Sequence, residues 1–168
     1  MRILNSAVPA VTILLVTVLA ALPWGIGPEH RFFLPHLSYL AIHYWTLRYP
    51  ERVPEWAVFA SGLTLDVMTS GPLGYWSLVF LIGYVIAVLQ SPWAGGGKAT
   101  RWGLVISALV MLGTIEWGLA SLYYFEWADW RPYAMAAFGI GLAYPLIAFM
   151  LQLFNPAPDA GRTRGRGG

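Results

Sequence analysis

Six apolar runs, each parted from the next by only a few polar, glycine or proline residues, leave this chain few ways to fold except as helices inside a bilayer. They cover about residues 7–24, 32–47, 56–69, 73–90, 102–125 and 132–154. A membrane-spanning helix consumes about 20 residues, so 168 residues hold about six spans with little left for a domain outside the membrane. Charged residues are only 11% of the chain, against the roughly 25% usual in a soluble domain. The expected fold class is therefore all-α and integral to the membrane, a bundle of six transmembrane helices within residues 1–155, followed by a disordered Arg/Gly-rich tail over 156–168.

The connections set the expected topology. Residues 56–69 and 73–90 are separated by little more than Gly71-Pro72, which predicts a tight antiparallel hairpin. Ser91 to Arg101, with Pro92 and Gly95-Gly96-Gly97, reads as a flexible polar loop between two halves. Pro145 falls inside the sixth run and predicts a kink. The first run, preceded only by Arg2, also fits a signal peptide. Ending in Leu22-Pro23-Trp24-Gly25 and lacking a good cleavage site, it reads better as a retained helix. Alternate connections collect Arg2, Arg48, Arg52, Lys98, Arg101, Arg162, Arg164 and Arg166 on one side, and only Arg31 and Arg131 on the other. Basic residues are retained on the cytoplasmic side, so both termini are expected there. The opposite face carries Glu29, Glu126 and Asp129, and Trp127 and Trp130 suit its interface.

Small residues recur four apart, as Gly83 with Ala87, Gly103 with Ser107, Ala137 with Gly141 and Gly139 with Ala143, letting helices approach closely. Their plainest use is packing within the bundle. Two acids lie inside predicted spans, Asp66 near the outer end of the third and Glu116 well within the fifth. An ionised carboxylate at a helix centre in lipid costs about 2.5–3.5 kcal/mol even on lenient scales, so each must face protein, neutralise or find donors. Asp66 is placed to accept from hydroxyls or from the open N–H groups at the start of the fourth helix. Glu116 is open to His36, His43, Tyr or Trp donors. His36 and His43 share a face but stand about 10 Å apart along the axis, too far to share a metal.

Several functions are excluded or disfavoured. Ten Lys and Arg scattered among apolar runs form no nucleic-acid stripe. The absence of cysteine removes disulfides and thiol chemistry. The stretch Gly95-Gly96-Gly97-Lys98-Ala99 lacks the first glycine and the Ser/Thr of a phosphate-binding loop, and no cofactor is implied. An acid dyad of Asp66 and Glu116 sharing a proton is conceivable for intramembrane proteolysis, but their apparent depths differ.

The segment Gly62-Leu63-Thr64-Leu65-Asp66 leading through Val67-Met68-Thr69-Ser70 into Gly71-Pro72-Leu73-Gly74 resembles the hallmark of the rod-shape-determining MreD family. Pro35 and the stretch Tyr44-Trp45-Thr46-Leu47-Arg48-Tyr49-Pro50 are similar to that family's second helix. In physical terms, Gly71 permits unusual backbone, Pro72 presets the start of the next helix and Gly74 leaves room for the facing one. The resemblance implies a bacterial inner-membrane protein without catalytic chemistry, working in peptidoglycan elongation beside MreC, MreB and the wall-synthesis enzymes. It also implies a fold similar to the substrate-binding subunits of energy-coupling-factor transporters. The leading functional expectation is a scaffold that holds a partner's transmembrane helix, with membrane lipids around it. The alternative is a solute-binding subunit of a transporter.

Overall fold

The structure, a computed structural model, describes residues 2–22 and 33–153, with side chains from Ala7 onward. Pro23, Trp24, Glu29, Arg31 and the tail over 156–168 lie outside the described residues, as does the side chain of Arg2. Six α-helices and no strands occur among the described residues: α1 (Arg2–Ala21), α2 (Phe33–Arg48), α3 (Glu55–Thr69), α4 (Tyr75–Gln90), α5 (Lys98–Tyr124) and α6 (Arg131–Gln152). Short 3-10 turns, Pro50–Arg52 and Ser91–Trp93, follow α2 and α4. Three helical stretches, Tyr75–Trp93, α5 and α6, are long and apolar enough to cross a membrane.

α2 has 16 residues and α3 has 15, about 22–24 Å at 1.5 Å per residue, less than a hydrocarbon core of about 30 Å. Burial explains how so short a helix as α2 is accommodated. From Ser38 to Leu47 no residue is more than 2% exposed, because α1, α4 and α6 all pack against it. A helix enclosed on every face is shielded from lipid by its neighbours. Among the described residues it is also the helix richest in buried polar side chains, with His36, Ser38, His43 and Thr46. The cost of polar groups in lipid drives such a segment to the bundle centre.

The outer helices show the reverse pattern. Val110 and Leu122 on α5, and Phe138, Leu142, Leu146 and Phe149 on α6, are each more than half exposed. In water such a surface would aggregate; in lipid it is the solvent-facing side. α6 continues as helix through Pro145. α5 begins at Lys98, four residues ahead of its apolar run, and spans 27 residues, about 40 Å. It therefore reaches beyond the shorter helices around it.

α3 and α4 share the most extensive contact of any helix pair. A Cβ added to Gly62 would stand 2.4 Å from the backbone N and Cα of Ser77, so the absence of a side chain sets how closely α3 approaches α4. Ser77 Oγ donates across the same crossing to the Phe59 carbonyl at 3.3 Å. Gly83 on α4 takes the ring of Tyr39, whose Cε2 would lie 2.4 Å from an added Cβ. Gly139 on α6 likewise takes Phe33 of α2.

Candidate functional site

The α3–α4 turn is built around Asp66. The last turn of α3 closes on Ser70, which adopts a left-handed conformation with φ 54°, and the Gly71 N–H donates back to the Asp66 carbonyl at 3.1 Å. Pro72 then lies in the turn ahead of α4, accepting from the Tyr75 N–H at 3.1 Å. Gly74, with φ 92°, is the N-terminal cap position of α4 and offers no side chain to satisfy the open N–H groups. Asp66 supplies the missing acceptors from the preceding helix. Its Oδ2 accepts from the Gly74 N–H at 2.8 Å and its Oδ1 from the Trp76 N–H at 3.0 Å. The carboxylate is fully buried and sits where the helix dipole favours negative charge.

The motif's glycines divide their roles differently from the sequence expectation. The left-handed positions are Ser70 and Gly74, and Gly71 is not one of them. A Cβ on Gly74 would meet nothing within 4 Å, so backbone conformation, not room for a facing helix, favours glycine there. Close approach is the task of Gly62. Leu73, 75% exposed, projects from the tip of the hairpin.

The other buried polar residues fall into two clusters tied to α2. His36 Nε2, in the first turn of α2, lies 3.3 Å from Glu116 Oε2, and both residues are 1% exposed. Tyr75 Oη donates to the Glu116 carbonyl at 3.3 Å. Glu116 is thus level with the beginnings of α2 and α4, in the half of the bundle that also holds Asp66; the length of α5 beyond it made it look deeper. No hydrogen bond joins the two carboxyl groups, since Asp66 is engaged by backbone donors.

His43, two turns along, belongs to a separate network. Its Nε2 is 2.9 Å from Gln90 Oε1, and Gln90 Nε2 donates to Ser107 Oγ at 3.1 Å, which donates to the Leu104 carbonyl at 2.9 Å. This chain links α2, α4 and α5. Gln90 was missed in the sequence because a neutral amide at the end of an apolar run reads as a span boundary; its partners His43 and Ser107 lie 47 and 17 residues away in the chain, beyond any local pattern. Among the described residues no group of three or more His, Asp or Glu is placed to hold a metal.

Between α5 and α6 runs a groove of about 750 Å³, with Gly113, Ala137 and Gly141 among its lining and Trp102, Trp117 and Phe138 at its sides. Two of its polar lining groups are engaged elsewhere. Thr114 Oγ1 donates to the Val110 carbonyl at 2.8 Å and Trp117 Nε1 to the Ala128 carbonyl at 2.8 Å. The groove consequently offers an apolar surface.

A family model described as rod shape-determining protein MreD matches residues 1–154. The rod shape-determining protein MreD of Haemophilus influenzae is 28% identical over 142 residues, covering 80% of this chain and 82% of that protein. No solved structure matches the chain significantly.

Proposed function

The chain belongs to the MreD family, whose membership implies a role in determining rod shape, and from that premise we propose that it acts as a non-enzymatic membrane scaffold of the complex that elongates the peptidoglycan wall. In this reading it holds a transmembrane helix of an MreC-like partner and, through the complex, supports MreB and the wall-synthesis enzymes. The observation that carries the reading is the α5–α6 groove. Glycine and alanine along its lining permit close helix approach, and van der Waals packing on such a surface is what drives helix association in lipid.

The buried polar groups support a structural rather than a catalytic purpose. Asp66 caps α4, Glu116 stands against His36, and the His43–Gln90–Ser107 chain ties three helices together. A transporter subunit that captures a polar solute calls for a closed pocket with polar groups convergent on the ligand, and the α5–α6 groove, being apolar, does not supply them. We place the protein in the bacterial cytoplasmic membrane, crossing six times with both termini inside. The clustering of Arg48, Arg52, Lys98 and Arg101 at one end of the bundle supports that orientation.

Depletion from the native cell should round the cells, and solubilised protein should co-purify with an MreC-like membrane protein. Rods that persist after complete depletion would remove the functional reading. Normal rounding without any such partner would remove only its mechanism.

A further inference from the structure

At the end of the bundle where α2 finishes and α5 begins lies a second cavity, of about 410 Å³, with Arg48, Tyr49, Ser91, Gly95 and Arg101 in its lining. Its size falls in the range of about 300–1,000 Å³ typical of small-ligand sites. Two guanidinium groups share it, and each is anchored by one side only. Arg48 rests its Cζ 3.8 Å over the ring of Tyr44. Arg101 donates from Nε to the Ala94 carbonyl at 3.2 Å, which fixes its plane and leaves its two terminal nitrogens for other acceptors.

The described residues do not balance these charges. Among the described residues no carboxylate lies within ion-pair distance of either group, the ion pair at this end being Arg52 with Glu51 at 3.8 Å. Arg48 Nη1 is buried and has no hydrogen-bond acceptor among the described residues. A buried cationic donor without an acceptor is expensive, and two like charges lining one cavity repel. An anion with several oxygens removes both costs at once, and the planar fork of arginine matches phosphate geometry.

We propose that this cavity binds a phosphate group, that of an anionic phospholipid whose headgroup sits at the charged end of the bundle. Lipid is favoured over free phosphate as the source because Leu47 contributes apolar lining and the site also lies between the end of α4 and the start of α5, whose exposed Val85, Leu89, Ile106 and Val110 suit lipid. The site does not depend on the scaffold reading and stands whichever partner the α5–α6 groove takes.

The test uses the full chain purified in detergent and exchanged into bilayer nanodiscs. Native mass spectrometry would count phosphatidylglycerol retained against phosphatidylcholine, and thermal unfolding would be followed with added inorganic phosphate. Wild type should retain phosphatidylglycerol selectively. The double variant R48Q/R101Q should lose that selectivity by about a hundredfold, as expected for two charge-assisted contacts. Arg52→Gln, which removes one charge from the same end outside the cavity, should lose no more than about fivefold, the effect of one surface arginine near anionic lipid, so two such surface charges would account for about twenty-five-fold at most.

Should R48Q/R101Q fail to fold, Arg101→Lys keeps the charge without the fork and should still weaken retention severalfold. Stabilisation by inorganic phosphate in wild type but not in R101K, without lipid selectivity, would support the phosphate site and assign it to the free ion. Equal losses in R52Q and the cavity variants would overturn the proposal in favour of a general surface field. Unchanged lipid and phosphate binding in the cavity variants, with loss of a co-purifying protein, would overturn it in favour of an acidic protein segment.

Discussion

Replacing Gly62 by alanine adds one methyl group at the α3–α4 crossing, and two opposite effects can be weighed there. Helix propensity favours alanine by about 0.8–1 kcal/mol. Sterics oppose it, because the new carbon would stand 2.4 Å from Ser77 Cα and N and 2.6 Å from the Trp76 carbonyl carbon, all backbone atoms that cannot rotate away. Restoring ordinary contact requires the helices to part by about 1 Å. Such a shift carries α4 away from Asp66, whose bonds of 2.8 and 3.0 Å to Gly74 and Trp76 leave little slack before they pass the roughly 3.2 Å limit of good N–H···O geometry. Overpacking costs about 1–3 kcal/mol, and weakening hydrogen bonds to a buried charge costs about 1.5–3 kcal/mol more. Sterics win, and the net loss should be about 2–4 kcal/mol.

The assay is equilibrium unfolding in mixed micelles, with Gly118→Ala as the control. An added Cβ on Gly118 meets nothing within 4 Å, so that variant should be unchanged or up to about 1 kcal/mol more stable. Gly62→Ala behaving like Gly118→Ala would refute the close crossing and the reasoning built on it.

Three further outcomes follow from the polar contacts. Asp66→Ala strips the acceptor from two buried N–H groups and should destabilise by about 2–4 kcal/mol, with Asp66→Asn, which keeps one oxygen, losing less; equal losses would show that only bulk matters at the site. His36→Leu and Glu116→Leu should each be costly, but the double variant should lose less than their sum, because each single change leaves its partner buried alone; strict additivity would mean the pair does not interact. Gln90→Leu should cost about 1 kcal/mol, typical of hydrogen bonds between membrane helices, and should prevent any further loss on adding Ser107→Ala; a full extra loss would break the proposed chain from α4 to α5.

The helical membrane class was legible because apolar runs of this length satisfy backbone hydrogen bonds in lipid only as helices. The α4 cap was legible at Asp66 because an acid one turn before a Gly-Pro corner has few acceptor-hungry neighbours other than the next helix start. The division of labour among glycines was not, since Gly62, Gly71 and Gly74 are identical letters and only the crossing of α3 and α4 separates close approach from left-handed backbone. Nor was the central position of α2. Sequence periodicity reports which face is apolar, and a helix surrounded by protein has no single apolar face to report. The pairing of Arg48 with Arg101 in one cavity arises from chain segments 53 residues apart and leaves no local pattern.

The most direct test of the scaffold account is crosslinking from the α5–α6 groove in native membranes. The chain contains no cysteine, so Ala137→Cys in the groove and Val85→Cys on the exposed face of α4 can each carry a single photoreactive label. The account predicts a specific crosslink from position 137 to the transmembrane segment of an MreC-like partner and none from position 85. Crosslinks to that partner from position 85 alone, or to lipid alone from both positions in shape-competent cells, would contradict it.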